Sequence, residues 1–218
     1  MARSAALLHY SLAAGDGFGR ESIVRAVAVL RRGGVVAFPT DTVYGLGAHS
    51  GMAAAIEKLY QVKERERLKA IPLLIARTED LTVVAGQVPE IAWRLAERFW
   101  PGPVTLVVPK AVTVLDVLTG GAPAVAVRVP AHEVALRLIA TLGAPLAATS
   151  ANISGQPEAV TAEEVRDTLG ERVRFILDGG RCPGGVASTV VDVTVDPPCI
   201  RRRGAIVNEV EAFLSKVR

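Results

Sequence analysis

The chain has 218 residues, half of them hydrophobic and 22% charged, which suits one large or two small domains around a sizeable core. Its 25 basic and 22 acidic residues leave a net charge of +3 and a pI near 9.1, a mild basicity that permits contact with nucleotides or RNA without requiring it. No apolar run approaches the ~20 residues of a membrane span. His9, His49, His132, Cys182 and Cys199 have neither metal-ligand nor CxxC spacing, so no structural zinc or disulfide framework is expected and a reduced, cytoplasmic setting is.

In chain order, residues 1–19 form an N-terminal segment. A cleaved leader is not expected there, because the basic start is Arg3 alone. Residues 20–206 alternate helix and strand. Glu21–Arg32 reads as an amphipathic helix stopped by Gly33-Gly34. Val35–Phe38 is a short buried strand. Gly45-Leu46-Gly47 resembles a dinucleotide fingerprint, but its third glycine, Gly51, comes one residue late, so these glycines read as tight turns. Helices follow at Met52–Val62, Pro89–Trp100, Ala131–Leu142 and Thr161–Leu169, the last with a Thr161 cap and Glu164 three residues on. Strands are expected at Leu73–Ala76, Val104–Val108, Ala124–Val129, Leu146–Thr149, Phe175–Asp178, Thr189–Val195 and Ile200–Arg202. Asp178-Gly179-Gly180 reads as a turn, and 207–218 as a terminal helix. The alternation argues for a single α/β domain with a twisted mixed central sheet and flanking helices.

Two segments carry the chemistry. If Lys63-Glu64-Arg65-Glu66-Arg67-Leu68-Lys69 is extended, Lys63, Arg65, Arg67 and Lys69 share one face, a positive stripe of polyphosphate size. The same residues also read as a solvated helix pairing Glu with Lys and Arg across a turn, although Pro72 would end it early. In Thr149-Ser150-Ala151-Asn152, alternation puts Ser150 and Asn152 together, two short hydrogen-bonding groups among small residues. Cations with short polar groups and little bulk suit a nucleotide pocket. The chain has neither a GxxxxGK[ST] phosphate loop nor a GxSxG elbow.

Six ordered pieces then resemble the YrdC/TsaC threonylcarbamoyl-AMP synthases: Phe38–Gly47 (FPTDTVYGLG), the KxR of Lys63 and Arg65, Pro101–Leu106, the SxN of Ser150 and Asn152, Cys182–Asp192, and Arg202–Ile206. Two departures stand out. Glu64 and Glu66 occupy the usual Gly and Pro of KGRP, and LRPG becomes Arg201-Arg202-Arg203-Gly204, where distance from Gly204 selects Arg202. The chain resembles the short form of the family, without the extra C-terminal domain.

The resemblance implies a nucleotidyltransferase that makes L-threonylcarbamoyladenylate from L-threonine, bicarbonate or CO2, and ATP, releasing pyrophosphate. It implies that Lys63 and Arg65 hold the phosphates with Mg2+, and that no protein metal ligands are needed. Ser150, Asn152 and Arg202 are assigned to ATP, and Thr42, Tyr44, Thr105 and Ser188 to threonine. Thr42, Tyr44 and Thr105 could equally close turns and cap strands. The product is expected to reach tRNA through separate threonylcarbamoyl-transferase proteins, with direct tRNA contact weak or indirect. Another class of function, a non-catalytic RNA-binding module, is supported by the arginines but opposed by the lack of an aromatic stacking platform. A third, carbamoyl transfer as in hydrogenase maturation, belongs to much longer chains.

Overall fold

A computed structural model describes residues 8–10, 19–173, 175–183 and 185–216. Apart from 8–10 and Gly19, the N-terminal segment 1–19 lies outside the described residues. The strands are β1 (Leu8–Tyr10), β2 (Val35–Phe38), β3 (Gly45–His49), β4 (Leu73–Leu74), β5 (Val104–Pro109), β6 (Ala124–Arg128), β7 (Leu146–Ser150), β8 (Phe175–Leu177), β9 (Thr189–Asp192) and β10 (Cys199–Arg202). The helices are α1 (Arg20–Arg31), α2 (Ala53–Lys63), α3 (Leu81–Val84), α4 (Glu90–Phe99), α5 (Asp116–Thr119), α6 (Glu133–Leu142), α7 (Ala162–Leu169) and α8 (Val207–Lys216).

The strands join in one mixed sheet of order β1-β8-β2-β3-β7-β4-β6-β5-β9-β10. It mixes parallel pairs (β1–β8, β2–β8, β4–β6, β5–β9) with antiparallel ones (β2–β3, β3–β7, β4–β7, β5–β6, β9–β10). Side chains alternate across the sheet, and the core divides accordingly. Val35 and Ala37 join α2, α4, α7 and α8 on one face; Val36 and Phe38 join α1 and α6 on the other. On this second face α1 and α6 pack over β8, β2 and β7. Further along, Leu74, Thr105, Ala126 and Val190 floor an open cavity, which is where the functional groups gather.

Three expectations need correction. Gly45–Gly47 is a strand, not a set of turns. Phe38 pairs with Gly45 across the ladder, and its ring lies over both glycines. A Cβ on Gly45 or Gly47 would stand 2.9 or 2.8 Å from that ring. These are strand glycines that make room for an aromatic side chain. The cationic segment is not extended either. α2 runs through Lys63, and Glu64 ends it in the left-handed region at φ 52°, with the Arg65 N–H bonded to Tyr60 O at 3.0 Å. The reversal scatters the stripe: Arg67 pairs with Glu57 away from the cavity, while Lys69, at the cavity's edge, pairs with Glu66. Finally, β1, α3 and α5 are short elements that the sequence pattern did not reveal. β1 owes its place to parallel pairing with β8, a contact that local sequence cannot signal.

Candidate active site

The cavity, about 530 Å3, is lined by the 40–45 segment, the end of α2, the 150–158 loop, and the facing residues Thr105, Arg128, Ser188 and Arg202. Every residue singled out from the sequence (Lys63, Arg65, Ser150, Asn152, Arg202, Thr42, Tyr44, Thr105 and Ser188) lines it. Residues far apart in the chain are thus brought to one wall by the register of β3 against β7 and of β5 against β9.

At one end the Lys63 ammonium is almost wholly buried. Its three N–H groups lie within hydrogen-bond reach of four oxygens, Ser150 O (2.7 Å), Ser150 Oγ (3.1 Å), Asn152 O (3.1 Å) and Asn152 Oδ1 (2.7 Å), so one N–H is shared. Ser150 Oγ in turn donates to Asn152 Oδ1 at 2.7 Å, and Asn152 Nδ2 to Gln156 O at 2.6 Å. The two sequence segments therefore meet: the lysine of KxR braces the SxN loop from beneath. Burial, and then the neighbouring Arg65, push the Lys63 amine down to about 8, against an opposing pull from Glu158. Arg65 spends Nε on Lys69 O (3.0 Å) and Nη2 on Ala70 O (2.9 Å), which closes its own turn beside the cavity.

At the other end Thr105 and Ser188 share a hydrogen bond of 2.7 Å between their hydroxyls. Arg202 straddles Ser188, with Nε to its carbonyl and Nη2 to its Oγ, both at 3.0 Å. The geometry resolves the three-arginine run. Arg201 pairs with Asp192 and Arg203 with Glu211, both exposed, whereas Arg202 lines the cavity. Burial lowers the Arg65 and Arg202 guanidinium values below the ordinary one. Tyr44 lines the wall, but its hydroxyl points away. It donates to Gly180 O (2.8 Å) and accepts from the Gly179 N–H (3.2 Å), so the Asp178-Gly179-Gly180 turn is its anchor. Burial raises its phenol further.

The sequence reading passed over Arg128, Asp41 and Glu158. Arg128 closes β6, is buried, and lines the cavity, where Nη1 reaches Thr42 Oγ1 at 3.3 Å and Nε reaches Gly102 O at 2.9 Å. Its signal was present as an arginine inside a valine-rich buried strand, a placement that requires a partner. That partner is Asp41, inside the FPTDT motif. Glu158 is the one carboxylate lining the cavity. Among the described residues, Lys63, Arg65 and Arg202 are cavity cations without an ion-pair partner, whereas Arg128 and Lys69 have one. One buried and two partly exposed cations, without ion-pair partners and set around short hydroxyls, are an arrangement suited to an anion.

The Sua5/YciO/YrdC family profile, described as telomere recombination, matches residues 28–204. The chain belongs to this family. It is 45% identical over 194 residues to the threonylcarbamoyl-AMP synthase of Pyrococcus abyssi and 42% identical over 197 to that of Bacillus subtilis. These matches cover 88% and 89% of this chain but 57% of each relative, so the chain spans little more than half their length. The structure of Pyrococcus abyssi Sua5 complexed with L-threonine superposes with a TM-score of 0.85 at 46% identity, over 87% of this chain and 56% of that one. No described helix is long and apolar enough to cross a membrane.

Proposed function

We propose that the chain is a cytoplasmic L-threonylcarbamoyladenylate synthase, a nucleotidyltransferase acting on L-threonine, bicarbonate or CO2, and ATP. The observation that carries this reading is the trio of cavity-lining cations, Lys63, Arg65 and Arg202, with no ion-pair partner among the described residues, which suits an ATP triphosphate. The relatives' names and the threonine complex of a homologous chain support the amino acid. The threonine amine gives up a proton and adds to CO2 to form a carbamate. A carbamate oxygen attacks the α-phosphorus, and pyrophosphate leaves. This asks little covalent chemistry of the protein and much alignment and charge neutralisation.

Lys63 holds the Ser150–Asn152 loop and lends its charge to the phosphates, while Arg65 and Arg202 flank the reacting phosphate. Ser150 and Asn152 orient the nucleotide. Thr42, Thr105 and Ser188 offer hydroxyls to the amino acid, and Arg128 offers its remaining N–H groups to the carboxylate. The donor set fits Mg2+ arriving with ATP. No cluster of three acidic, His or Cys ligands exists among the described residues, and Mg2+ is commonly held by one or two carboxylates plus phosphates and water. Glu158 is then the cavity carboxylate available to it, and the metal supplies charge neutralisation on the phosphates.

Threonine-dependent pyrophosphate release, with the adenylate identified by mass spectrometry, tests the reading; ATP turnover indifferent to threonine would overturn it. Transfer to tRNA is assigned to a separate protein. Incubation with ATP, threonine, bicarbonate and unmodified tRNA is therefore expected to yield no threonylcarbamoyladenosine unless a transferase is added.

A further inference from the structure

Asp41 does not line the cavity, yet it is buried against it. Its side chain is 10% exposed and that of Arg128 8%. Asp41 Oδ1 accepts from both Arg128 Nη2 (2.5 Å) and the Ala131 N–H (3.0 Å). Its Oδ2 is buried with no hydrogen-bond partner among the described residues. Buried ion pairs are often no better for stability than apolar residues of similar volume, and an unpartnered carboxylate oxygen makes this one worse. Stability therefore does not account for the arrangement.

Geometry does. Because Asp41 takes Arg128 through one oxygen, it consumes one N–H where a two-oxygen fork would consume two. Arg128 commits one donor each to Asp41, Thr42 and Gly102. Of the five donors of a guanidinium, this leaves two, one on each terminal nitrogen. The plane is fixed on three sides, and Thr42 is fixed with it: its Oγ1 accepts from Arg128 and lies 3.0 Å from Thr40 Oγ1, which donates to Val43 O at 2.7 Å. The Asp41–Arg128 pair is neutral as a pair, so what it contributes here is chiefly the fixed direction of its free N–H groups.

We propose that Asp41 is a positioning residue for the amino-acid substrate: it holds Arg128, and through it Thr42, so that two planar N–H donors face the substrate's α-carboxylate. The proposal rests on the threonine-using reading given above.

The test is steady-state kinetics of wild-type, Asp41→Ala, Asp41→Asn, Arg128→Ala and the Asp41→Ala/Arg128→Ala double variant, varying threonine and ATP separately. Losing hydrogen bonds to a charged group predicts a threonine KM raised about 10- to 100-fold in Asp41→Ala. The ATP KM stays within about 3-fold, since the phosphates sit at the other cations. Asp41→Asn keeps an acceptor for the Ala131 N–H and falls between wild-type and Asp41→Ala. The double variant is no worse than Arg128→Ala, because Asp41 acts through Arg128. Equal rises in both KM values, a loss confined to kcat, or additive effects in the double variant would overturn the inference. So would failure of both Asp41 variants to fold by circular dichroism, which would make the residue structural only. A wild-type chain with no threonine-saturable turnover would overturn the proposed function itself, and this inference with it.

Discussion

At one end of the cavity Lys63 is buried against four neutral oxygens of the 150–152 loop; at the other, Arg128 is buried against the Asp41 carboxylate. Both cations are hydrogen-bonded to the protein, but only Arg128 has a carboxylate to balance its charge. Neutral oxygens lower the cost of burying an ammonium without cancelling its field, so Lys63, with Arg65 beside it, leaves its end of the cavity in need of an anion. The Asp41–Arg128 pair is neutral as a pair and orders geometry at its own end, beside Arg202. A polyanion and a zwitterionic amino acid would thus sort themselves between the two ends.

The strongest way to break this contrast is to remove the uncompensated charge. Arg65→Ala and Lys63→Ala should each lower the rate of adenylate formation about 100- to 1000-fold, the ~2.7–4 kcal/mol lost with one aligned donor to developing charge. The two should differ in stability. Arg65→Ala releases only its own turn and should melt close to wild-type. Lys63→Ala strips the donor from the Ser150–Asn152 loop and should cost about 1–3 kcal/mol. Wild-type pyrophosphate release from either variant would contradict the role given to this end.

A backbone change reaches both ends. Gly204 passes so close to the 187–188 backbone that a Cβ would lie 2.3 Å from Ala187 O and 2.5 Å from Ser188 O. Neither atom belongs to a flexible side chain. Gly204→Ala should cost about 1–3 kcal/mol by overpacking, and it should impair both substrates' use because it shifts Ser188 away from Arg202. Thermal melting together with the two KM values would show whether the crossing matters in this way.

The charge difference also has a pH signature. The Lys63 amine keeps its proton only to about 8 in the folded chain against 10.5 for an ordinary lysine. Between those values the unfolded chain binds more protons, so this group's contribution to stability rises with pH there. Activity that needs the charged amine falls over the same window. The expected result is a kcat/KM that declines above about pH 8 while the melting temperature does not fall with it. Lys63→Arg, slower in rate, should move that decline upward because a guanidinium stays charged. A decline unchanged in Lys63→Arg would assign the limb to another group.

Most of the sheet was legible in the sequence, since valine-rich runs between glycine and proline stops mark buried strands. Val35–Phe38 matches residue for residue, and β5, β6 and β7 within a residue or two. β3 was hidden because its glycines answer to the Phe38 ring across the ladder rather than to a local turn. Lys63, Arg65, Ser150 and Asn152 were legible as types and spacings, the other candidates only through the family resemblance, and the fold gathers them all. Arg128 and Asp41 were not, because one hides in a hydrophobic strand and the other in a turn motif. Their meaning lies in a contact 87 residues apart in sequence. The extended cationic stripe failed for a specific reason: the pattern gave no sign that Glu64 would take a left-handed backbone, carrying Arg67 away from the cavity and leaving Lys69 paired with Glu66.

That residue offers the smallest test. Glu64 sits between Lys63 and Arg65, yet its side chain reaches outward to pair with the exposed Arg172. Its φ of 52° costs a non-glycine residue about 1–2 kcal/mol. Glu64→Gly removes that strain, which outweighs an exposed ion pair worth about 0.2–1 kcal/mol. It also gives back part of the gain as chain entropy, about 0.4–1 kcal/mol. The expected net is close to zero, a gain of about 0.2 kcal/mol at the midpoints of those ranges, seen as a melting temperature little changed. Because the carboxylate faces solvent, the rate of adenylate formation should change less than about 3-fold. A collapse in rate with an intact fold would mean that Glu64 tempers the field of Lys63 and Arg65, and that the uncompensated end is less exposed in charge than its hydrogen bonds indicate.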